Sequence, residues 1–357
     1  MKKKRLLIAL VCVALVAGFT FVGCGNGGGG NGGGGTQEGN GAAADTTYNL
    51  ILGHVVAEAT SLHWGALELS RLVYERTGGR VHIDVFANAA LGDNREGMEA
   101  LQIGTAHMWI PNISTLNMFT PATQVFELPY LILNDASGAA VFEGPLGAHV
   151  FSPLEDIGII YLASFSQGWR QLTTANTPVR HPSDMQGLMI RTMDSPLHMA
   201  HFNALGANAT PLPFSELFVA LQTGAFDAQE NPWINIYTQA FFEVQNYIIE
   251  TSHIFDVTPV IMSRSALERL PAEFQQIIRD TALELAPLQR QKTADEAEIV
   301  RQTIIDSGAV TVITLTPEER HEFFMAAQPV YDEFVPALEE ILGAGFVQQI
   351  IDAQEGF

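Results

Sequence analysis

An alternation of short apolar segments with longer amphipathic ones between residues 48 and 110 constrains the fold more than any other feature of the sequence. Segments 48–55 and 80–86 are rich in β-branched and apolar residues, which is typical of strands. Segment 61–77 carries leucines near helical spacing and ends at a glycine pair. A second helix is predicted over 93–102, with Asp93 or Asn94 as its cap, and a short strand over 107–110. This β-α-β-α-β order predicts a mainly parallel sheet with helices on both faces.

The second half of the chain continues the pattern. Strands are predicted over 158–164, 188–192 and 253–262, and helices over 195–205, 213–223 and 271–307, the last with a kink at Pro287. Further helices are predicted after Thr316. Arg191 lies near the carboxyl end of its predicted strand, where ligands of open α/β sheets bind.

The length and charge of the chain limit the number of lobes and the kinds of partner that can be expected. The part of the chain after residue 45 is about 310 residues long, beyond the length at which one core keeps growing, so two lobes are expected. The chain carries 18 basic and 39 acidic residues, and Lys292 is its only lysine beyond residue 4. Nucleic acid is therefore an improbable partner, since binding phosphates requires clustered lysine and arginine. An anion site in this chain must be local and made of arginine.

The N-terminus predicts export. Four basic residues precede the apolar run 6–21, which is shorter than the roughly 20 residues of a membrane-spanning helix. The sequence Phe21-Val22-Gly23-Cys24 resembles a bacterial lipoprotein box, which implies a signal peptide over 1–23 and lipidation of Cys24. An uncleaved anchor helix is the alternative. Residues 24–45 form a predicted tether, since eleven of the 17 residues from 25 to 41 are glycine and span roughly 23 Å as a random coil.

Motifs for catalysis or metal binding are missing from the sequence after residue 45. It contains no cysteine, so disulfides, cysteine-based zinc sites and thiol nucleophiles are excluded there. It has no Gly-x-Ser-x-Gly elbow, no His-Glu-x-x-His helix and no dinucleotide fingerprint. The sequence therefore predicts a binding protein with no cofactor and no metal, and not an enzyme.

Seven segments, in order and spacing, resemble the solute-binding proteins of TRAP (tripartite ATP-independent periplasmic) transporters. The similarity extends from about residue 48 to 340. The segments are ALGDNRE with EALQIGT (90–105), VFELPY (125–130), GWRQ (168–171), DMQGLMIR (184–191), LGA with PLPFSE (205–216), ALQTGAFDAQENP (220–232) and FEVQ (242–245).

This resemblance implies an α/β, two-lobed periplasmic-binding-protein fold with a ligand cleft between the lobes and a long hinge-spanning helix. We expect lobe I over 46–166 and 255–297, and lobe II over 167–254 and 298–357. The implied function is capture of a small organic acid and its delivery to TRAP membrane subunits. The protein is then exported, and either lipid-anchored to the outer face of the cytoplasmic membrane or periplasmic. A receptor that reports to a sensor is an alternative, and an exported enzyme is a more remote one.

The resemblance also implies six substrate-binding positions. In that family an arginine matching Arg191 pairs with the ligand carboxylate, and the others lie around it: Arg170, Asn231, Asn112, Glu58 and Phe214. A guanidinium presents a rigid fork to both carboxylate oxygens, which a lysine does not. Asn231 can donate its amide to the same carboxylate.

Five of the six positions have a structural alternative. Arg191 can form a surface ion pair and Arg170 a structural salt bridge. Asn231 can be a turn residue before a proline, and Phe214 can be ordinary core. Glu58 can be a solvated loop charge. If it instead faces the cleft, it accepts hydrogen bonds from ligand hydroxyls, and a uronate is then favoured over a plain dicarboxylate.

Overall fold

A mixed β-sheet runs through residues 46–356, the part of the chain that the computed structural model describes. The predicted signal peptide, Cys24 and the tether lie outside the described residues. The sheet has the order β2-β1-β3-β9-β4-β7-β5-β6, with β8 beside β4 and β10 beside β8. Its strands are β1 (Tyr48–Gly53), β2 (Val81–Phe86), β3 (Met108–Trp109), β4 (Ile159–Thr174), β5 (Met189–Thr192), β6 (Asn208–Pro211), β7 (Ala228–Pro232), β8 (Tyr247–Glu250), β9 (Phe255–Ser263) and β10 (Thr311–Thr314).

Strand β4 joins the two halves of this sheet. Its first part, 159–169, pairs antiparallel with β9, next to the parallel strands β3, β1 and β2. Its last five residues pair antiparallel with β7. The register shifts between Ser166 and Gly168, and Gly168 has a φ of 85°, a conformation that glycine adopts at little cost. The chain thus passes from one half-sheet to the other at this bulge.

The helices begin and end largely where local signals predict. Asp93 caps α2 through the amide of Asn94, and Gly104 ends it in the left-handed region. Thr316 and Glu319 form a reciprocal capping box at α11. The helices are α1 (Ser61–Arg76), α2 (Asn94–Ile103), α3 (Ile113–Leu116), α4 (Asp135–Glu143), α5 (Pro145–Phe151), α6 (Pro196–Ala204), α7 (Leu217–Gln222), α8 (Trp233–Thr238), α9 (Arg264–Glu268), α10 (Ala272–Ser307), α11 (Pro317–Ala326), α12 (Gln328–Leu342) and α13 (Phe346–Asp352).

Helix α10 contributes to the cores of both half-sheets. Phe274 and Ile278, near its start, pack in the apolar cluster that covers β1 and α1. Val300 and Ile304, 22 or more residues later, pack in the cluster of α7 and α8. Each fully buried side chain of this kind contributes about 1.5–3 kcal/mol. This is the long spanning helix that the sequence predicts, with Pro287 inside it.

Two further features were not predicted. Strand β4 extends ten residues beyond the predicted end at 164, and β9, which lies between β3 and β4, is antiparallel to both of them. The C-terminal helices α12 and α13 pack in one apolar cluster with residues between 98 and 151. The lobe boundaries given above stay a prediction.

Among residues 46–356 no single helix is long and apolar enough to cross a membrane. Helices α12 and α13 reach that length and composition only together, and they are bent by 97°.

Candidate functional site

A cleft lies where loops that follow strands of the two half-sheets face each other. Val55, Val56 and Asn112 come after β1 and β3, while Arg191 and Met193 lie at the end of β5. The cleft has an outer part of about 260 Å³ and an inner part of about 20 Å³ that share several wall residues. The position agrees with the rule that ligands of open α/β sheets bind at the carboxyl ends of strands.

Arg191 is a buried cation in both parts of the cleft wall. Only 3 % of it is exposed, and its Nε and Nη2 donate to the carbonyl oxygen of Leu212 at 2.8 and 2.6 Å. No carboxylate forms an ion pair with it among the described residues. Burial lowers its pKa to about 10, so the guanidinium remains charged at neutral pH. A buried positive charge without an acidic partner is costly unless an anion joins it.

Arg170, in contrast, is paired within the protein. Its Nη1 donates to Oδ2 of Asp256 at 2.5 Å, and its Nη2 donates to Oε1 and to the carbonyl oxygen of Glu230, both at 2.8 Å. Nε donates to the same Glu230 carboxylate. Four of its five N–H donors are thereby used. Arg170 lines the inner part of the cleft, where one Nη1 hydrogen is left for a ligand.

A buried acid–histidine network continues from Arg170. Nε2 of His198 lies 3.3 Å from Oε1 of Glu127, and its Nδ1 lies 3.7 Å from Oε1 of Glu230. Burial alone lowers the pKa of His198, but the two carboxylates outweigh that effect and raise it to about 9. Nε2 of His253 lies 3.1 Å from the other Glu230 oxygen. Glu127 lies between α3 and α4, whereas Glu230 lies in β7. The network therefore connects parts of the chain that are distant in sequence.

Three other predicted residues line the cleft. Asn112 caps α3, with Oδ1 accepting from the amide and hydroxyl of Thr115 at 3.0 and 2.7 Å. Phe214 is half-buried on both parts of the wall and stands edge-on to Phe241. Asn231 lines the inner part, and its Nδ2 donates to Oε1 of Gln229 at 2.6 Å.

Glu58 is the predicted residue that the structure does not bring to the others. It lies in the loop between β1 and α1 with an exposed side chain, and it is not among the residues that line either part of the cleft. The geometry therefore offers no support for a ligand contact by Glu58, which stays a prediction.

Two asparagines of the cleft were not predicted. Oδ1 of Asn94 accepts from the indole N–H of Trp109 at 3.0 Å, which leaves Nδ2 of Asn94 buried and without a partner in the described part of the chain. Asn235 lies on the inner wall, and its Oδ1 is likewise buried and unpartnered there. Asn235 lies in α8, four residues after the predicted Asn231 at the end of β7. Its short distance in sequence from Asn231 was the only local signal.

Within residues 46–356, no group of three or more histidines, cysteines or carboxylates is arranged to hold a metal ion. The polar groups that line the inner part of the cleft are guanidinium and amide groups, which bind oxygen atoms of organic ligands, whereas the outer part also carries the carboxylates of Asp93, Glu96 and Asp194.

Comparison with known proteins gives one family. Residues 52–337 match the model of the bacterial extracellular solute-binding protein family 7. A solute-binding protein from Verminephrobacter eiseniae is 33% identical over 315 residues, which cover 88% of this chain and 91% of that protein.

Solved structures are similar to the whole described part of the chain. A TRAP periplasmic solute-binding protein from Shewanella oneidensis with bound succinate is 32% identical, with a TM-score of 0.82 over 87% of this chain and 100% of that one. The sugar acid binding protein from Advenella mimigardefordensis in complex with galactonate is 26% identical, with a TM-score of 0.82 over 87% and 99%. These similarities confirm the predicted family and the two-lobed α/β fold.

Proposed function

Because this chain belongs to family 7 of the bacterial extracellular solute-binding proteins, we propose that it captures a small organic acid through Arg191 and delivers it to the membrane subunits of a TRAP transporter. The observation that carries the proposal is the buried Arg191 guanidinium, which faces the cleft and has a carbonyl oxygen but no carboxylate as its hydrogen-bond partner within residues 46–356. A ligand carboxylate supplies the missing negative charge and fits the guanidinium fork.

The neighbouring amides support the same assignment. Nδ2 of Asn94 is a buried donor without a partner in the described residues, and the hydrogen bonds of Asn112 there use only its Oδ1, which leaves Nδ2 free to donate. Both lie on the wall that Arg191 shares. Amide donors around a cation stabilise a bound carboxylate and do not favour a cationic or purely apolar ligand.

Capture requires the lobes to move. The inner part of the cleft, about 20 Å³, holds roughly one water-sized sphere. An organic acid that reaches Arg170, Arg191 and Asn231 therefore enters with the lobes apart and is enclosed when they close. Closure excludes water and strengthens each charged contact.

We also propose that the ligand is a sugar acid, such as a uronate, in preference to a C4-dicarboxylate. Two solved structures that are equally similar to this chain by TM-score contain ligands of different classes, succinate in one and galactonate in the other. The preference for the hydroxylated class depends on the polar atoms of the inner wall, among them the buried Oδ1 of Asn235. Export and attachment through lipidated Cys24 are part of the proposal and follow from the N-terminal sequence.

A thermal-shift screen of the purified full-length chain tests the function. A binding acid is expected to raise the melting temperature through mass action. In Arg191→Ala the shift should disappear, because loss of a buried charge partner costs about 2–5 kcal/mol of binding. Arg191→Lys should remain clearly impaired, since the two-pronged fork is lost.

Arg180→Ala is the matched control. Arg180 is an exposed arginine paired with Glu319 and remote from the cleft lining. It should keep the full shift. Full binding in Arg191→Ala, or no shift with any acid tested, would overturn the proposed function.

A further inference from the structure

The inner wall of the cleft contains a hydrogen-bond acceptor that no group among the described residues satisfies. Asn235 is only 2 % exposed, and its Nδ2 donates to Oε1 of Gln167 at 2.9 Å. Its Oδ1 is buried and has no partner among residues 46–356. A buried acceptor left without a partner costs free energy, which is regained if a ligand supplies a donor.

The orientation of the Asn235 amide depends on a chain of hydrogen bonds, because the nitrogen and oxygen of an amide are told apart by their partners. The chain begins at the carbonyl oxygen of Val244, which can only accept. Gln245 must therefore turn its Nε2 toward it, at 3.1 Å. Oε1 of Gln245 then accepts from the hydroxyl of Thr173, also at 3.1 Å.

The same assignment of donors and acceptors extends from Thr173 to the amides at the cleft. With its hydrogen donated to Gln245, the Thr173 oxygen accepts from Nε2 of Gln229 at 2.9 Å. Oε1 of Gln229 accepts from Nδ2 of Asn231 at 2.6 Å, and Oδ1 of Asn231 faces Nδ2 of Asn235 at 3.4 Å. Each amide is held in one orientation by the one before it. The amide chain from Gln245 to Asn235 therefore ends with an oxygen, not an N–H, as the free group of Asn235.

We propose that Oδ1 of Asn235 accepts a hydrogen bond from a hydroxyl group of the bound acid, and that this contact selects hydroxylated acids over plain carboxylates. The inference rests on the proposed function, since it assumes that an acid occupies the cleft. An ionised carboxylate offers only acceptors and cannot satisfy Oδ1, whereas a hydroxyl group donates. Thr173 acts as a positioning residue: it touches no ligand but fixes which atom Asn235 presents.

Isothermal titration of the purified full-length chain tests the contact with acid pairs that differ in hydroxyl groups. The pairs are L-malate with succinate, and D-galactonate with hexanoate. In the pair that binds, the hydroxylated acid should bind at least about tenfold more tightly. Asn235→Leu, which has a similar size but no acceptor, should reduce that ratio toward one.

The outcomes separate the two proposals. Equal or tighter binding of the plain acid to the unaltered protein overturns the hydroxyl contact and leaves acid capture intact. An unchanged ratio in Asn235→Leu also overturns it. Absence of binding by all four acids, together with no thermal shift in the wider screen, overturns the proposed function as well.

Thr173 provides a second test that a merely structural role would not satisfy. Thr173→Val should lower the preference for the hydroxylated acid about tenfold with little effect on the plain acid, because the released amides can turn. Thr173→Ser should restore the preference, since it restores the hydroxyl. Thr238→Val, on α8 and outside the amide chain, is the control. A full preference in a folded Thr173→Val overturns the positioning role.

Discussion

At the scale of single residues, two buried arginines of one cleft have different surroundings. Arg170 is enclosed by the carboxylates of Glu230 and Asp256, while in the described part of the chain Arg191 donates only to the carbonyl oxygen of Leu212. The charge of Arg170 is balanced by carboxylates inside the protein, so Arg170 holds the residues of the wall in place. The charge of Arg191 is available to a ligand. The sequence shows two arginines in family motifs and cannot tell these roles apart, because the acids around Arg170 come from β7 and β9, 60 and 86 residues away.

His198 makes stability depend on pH. Its pKa is raised to about 9 in the folded protein, compared with about 6.5 in the unfolded chain. The folded state therefore holds the proton more tightly, and the resulting stabilisation is complete below pH 6.5. We expect the free energy of unfolding to fall by up to about 3 kcal/mol between pH 6.5 and 9.5. Urea denaturation of the full-length chain at both values measures it.

The His198→Gln variant is the control for that titration. It should be less stable at pH 6.5 but should show a much smaller loss toward pH 9.5, because the titrating group is gone. The neighbouring His201 and His253 have lowered pKa values, because burial disfavours their charged forms. An equal loss in both proteins would contradict the assignment to His198.

At the scale of elements, one hydrogen bond joins the two sides of the cleft mouth. The hydroxyl of Ser215, after β6, donates to Oδ2 of Asp93, the cap of α2, at 3.2 Å. Both ends are exposed, and the contact needs the two sides close together. We expect Ser215→Ala to weaken acid binding about two- to fivefold, mainly through faster dissociation, as suits a single surface hydrogen bond. Stopped-flow dissociation rates test this.

Ser152→Ala removes an exposed hydroxyl whose hydrogen bond is local, to the carbonyl oxygen of His149. It should leave the dissociation rate unchanged. If Ser215→Ala dissociates as slowly as the unaltered protein, the bond does not help to hold the cleft closed.

The elements also show what the sequence could predict. Helices with strong local signals, such as the Asp93 cap of α2 and the Thr316 cap of α11, were found to within one or two residues. Strand β7 was missed, because its sequence AQENP is polar and ends in proline although every residue is buried. It is held by pairing with β4 and β5 and by the ion pairs of Glu230, which are contacts distant in sequence.

The residues of the candidate site likewise divide into those that the sequence reveals and those whose role depends on contacts distant in sequence. Arg191 and Phe214 were identified in family motifs, Asn112 was placed by its position in the same resemblance, and all three line the cleft. Asn235 was missed because the atom that matters is fixed by Thr173 and Gln229, through hydrogen bonds that no local pattern encodes.

At the scale of the whole molecule, the same segments that join the lobes also carry site residues. Strand β4 passes between the half-sheets and contributes Arg170 and Gln167 to the inner wall. Gln289 and Thr293 of α10 both donate to the carbonyl oxygen of Ser166, beside the β4 bulge. A ligand that contacts the inner wall therefore contacts the same segment that connects the lobes. Closure by hinge motion requires such a link between the ligand site and the connecting segment.

Delivery to membrane subunits further depends on where the protein is held. The sequence before residue 46 predicts lipidation at Cys24 and a glycine-rich tether of roughly 23 Å as a random coil. We expect Cys24→Ser to move the protein from the membrane fraction to the soluble exported fraction, because one cysteine carries the acyl chains and an anchored state needs them. Membrane and soluble fractions of cells that produce the protein are separated by ultracentrifugation, and immunoblotting measures the protein in each. Cys12→Ser is the matched control, and it should stay in the membrane fraction. Acid binding by the purified Cys24→Ser protein should be unchanged, since the cleft lies wholly within residues 46–356. Retention of Cys24→Ser in the membrane fraction would instead indicate that the apolar segment 6–21 remains as an uncleaved anchor.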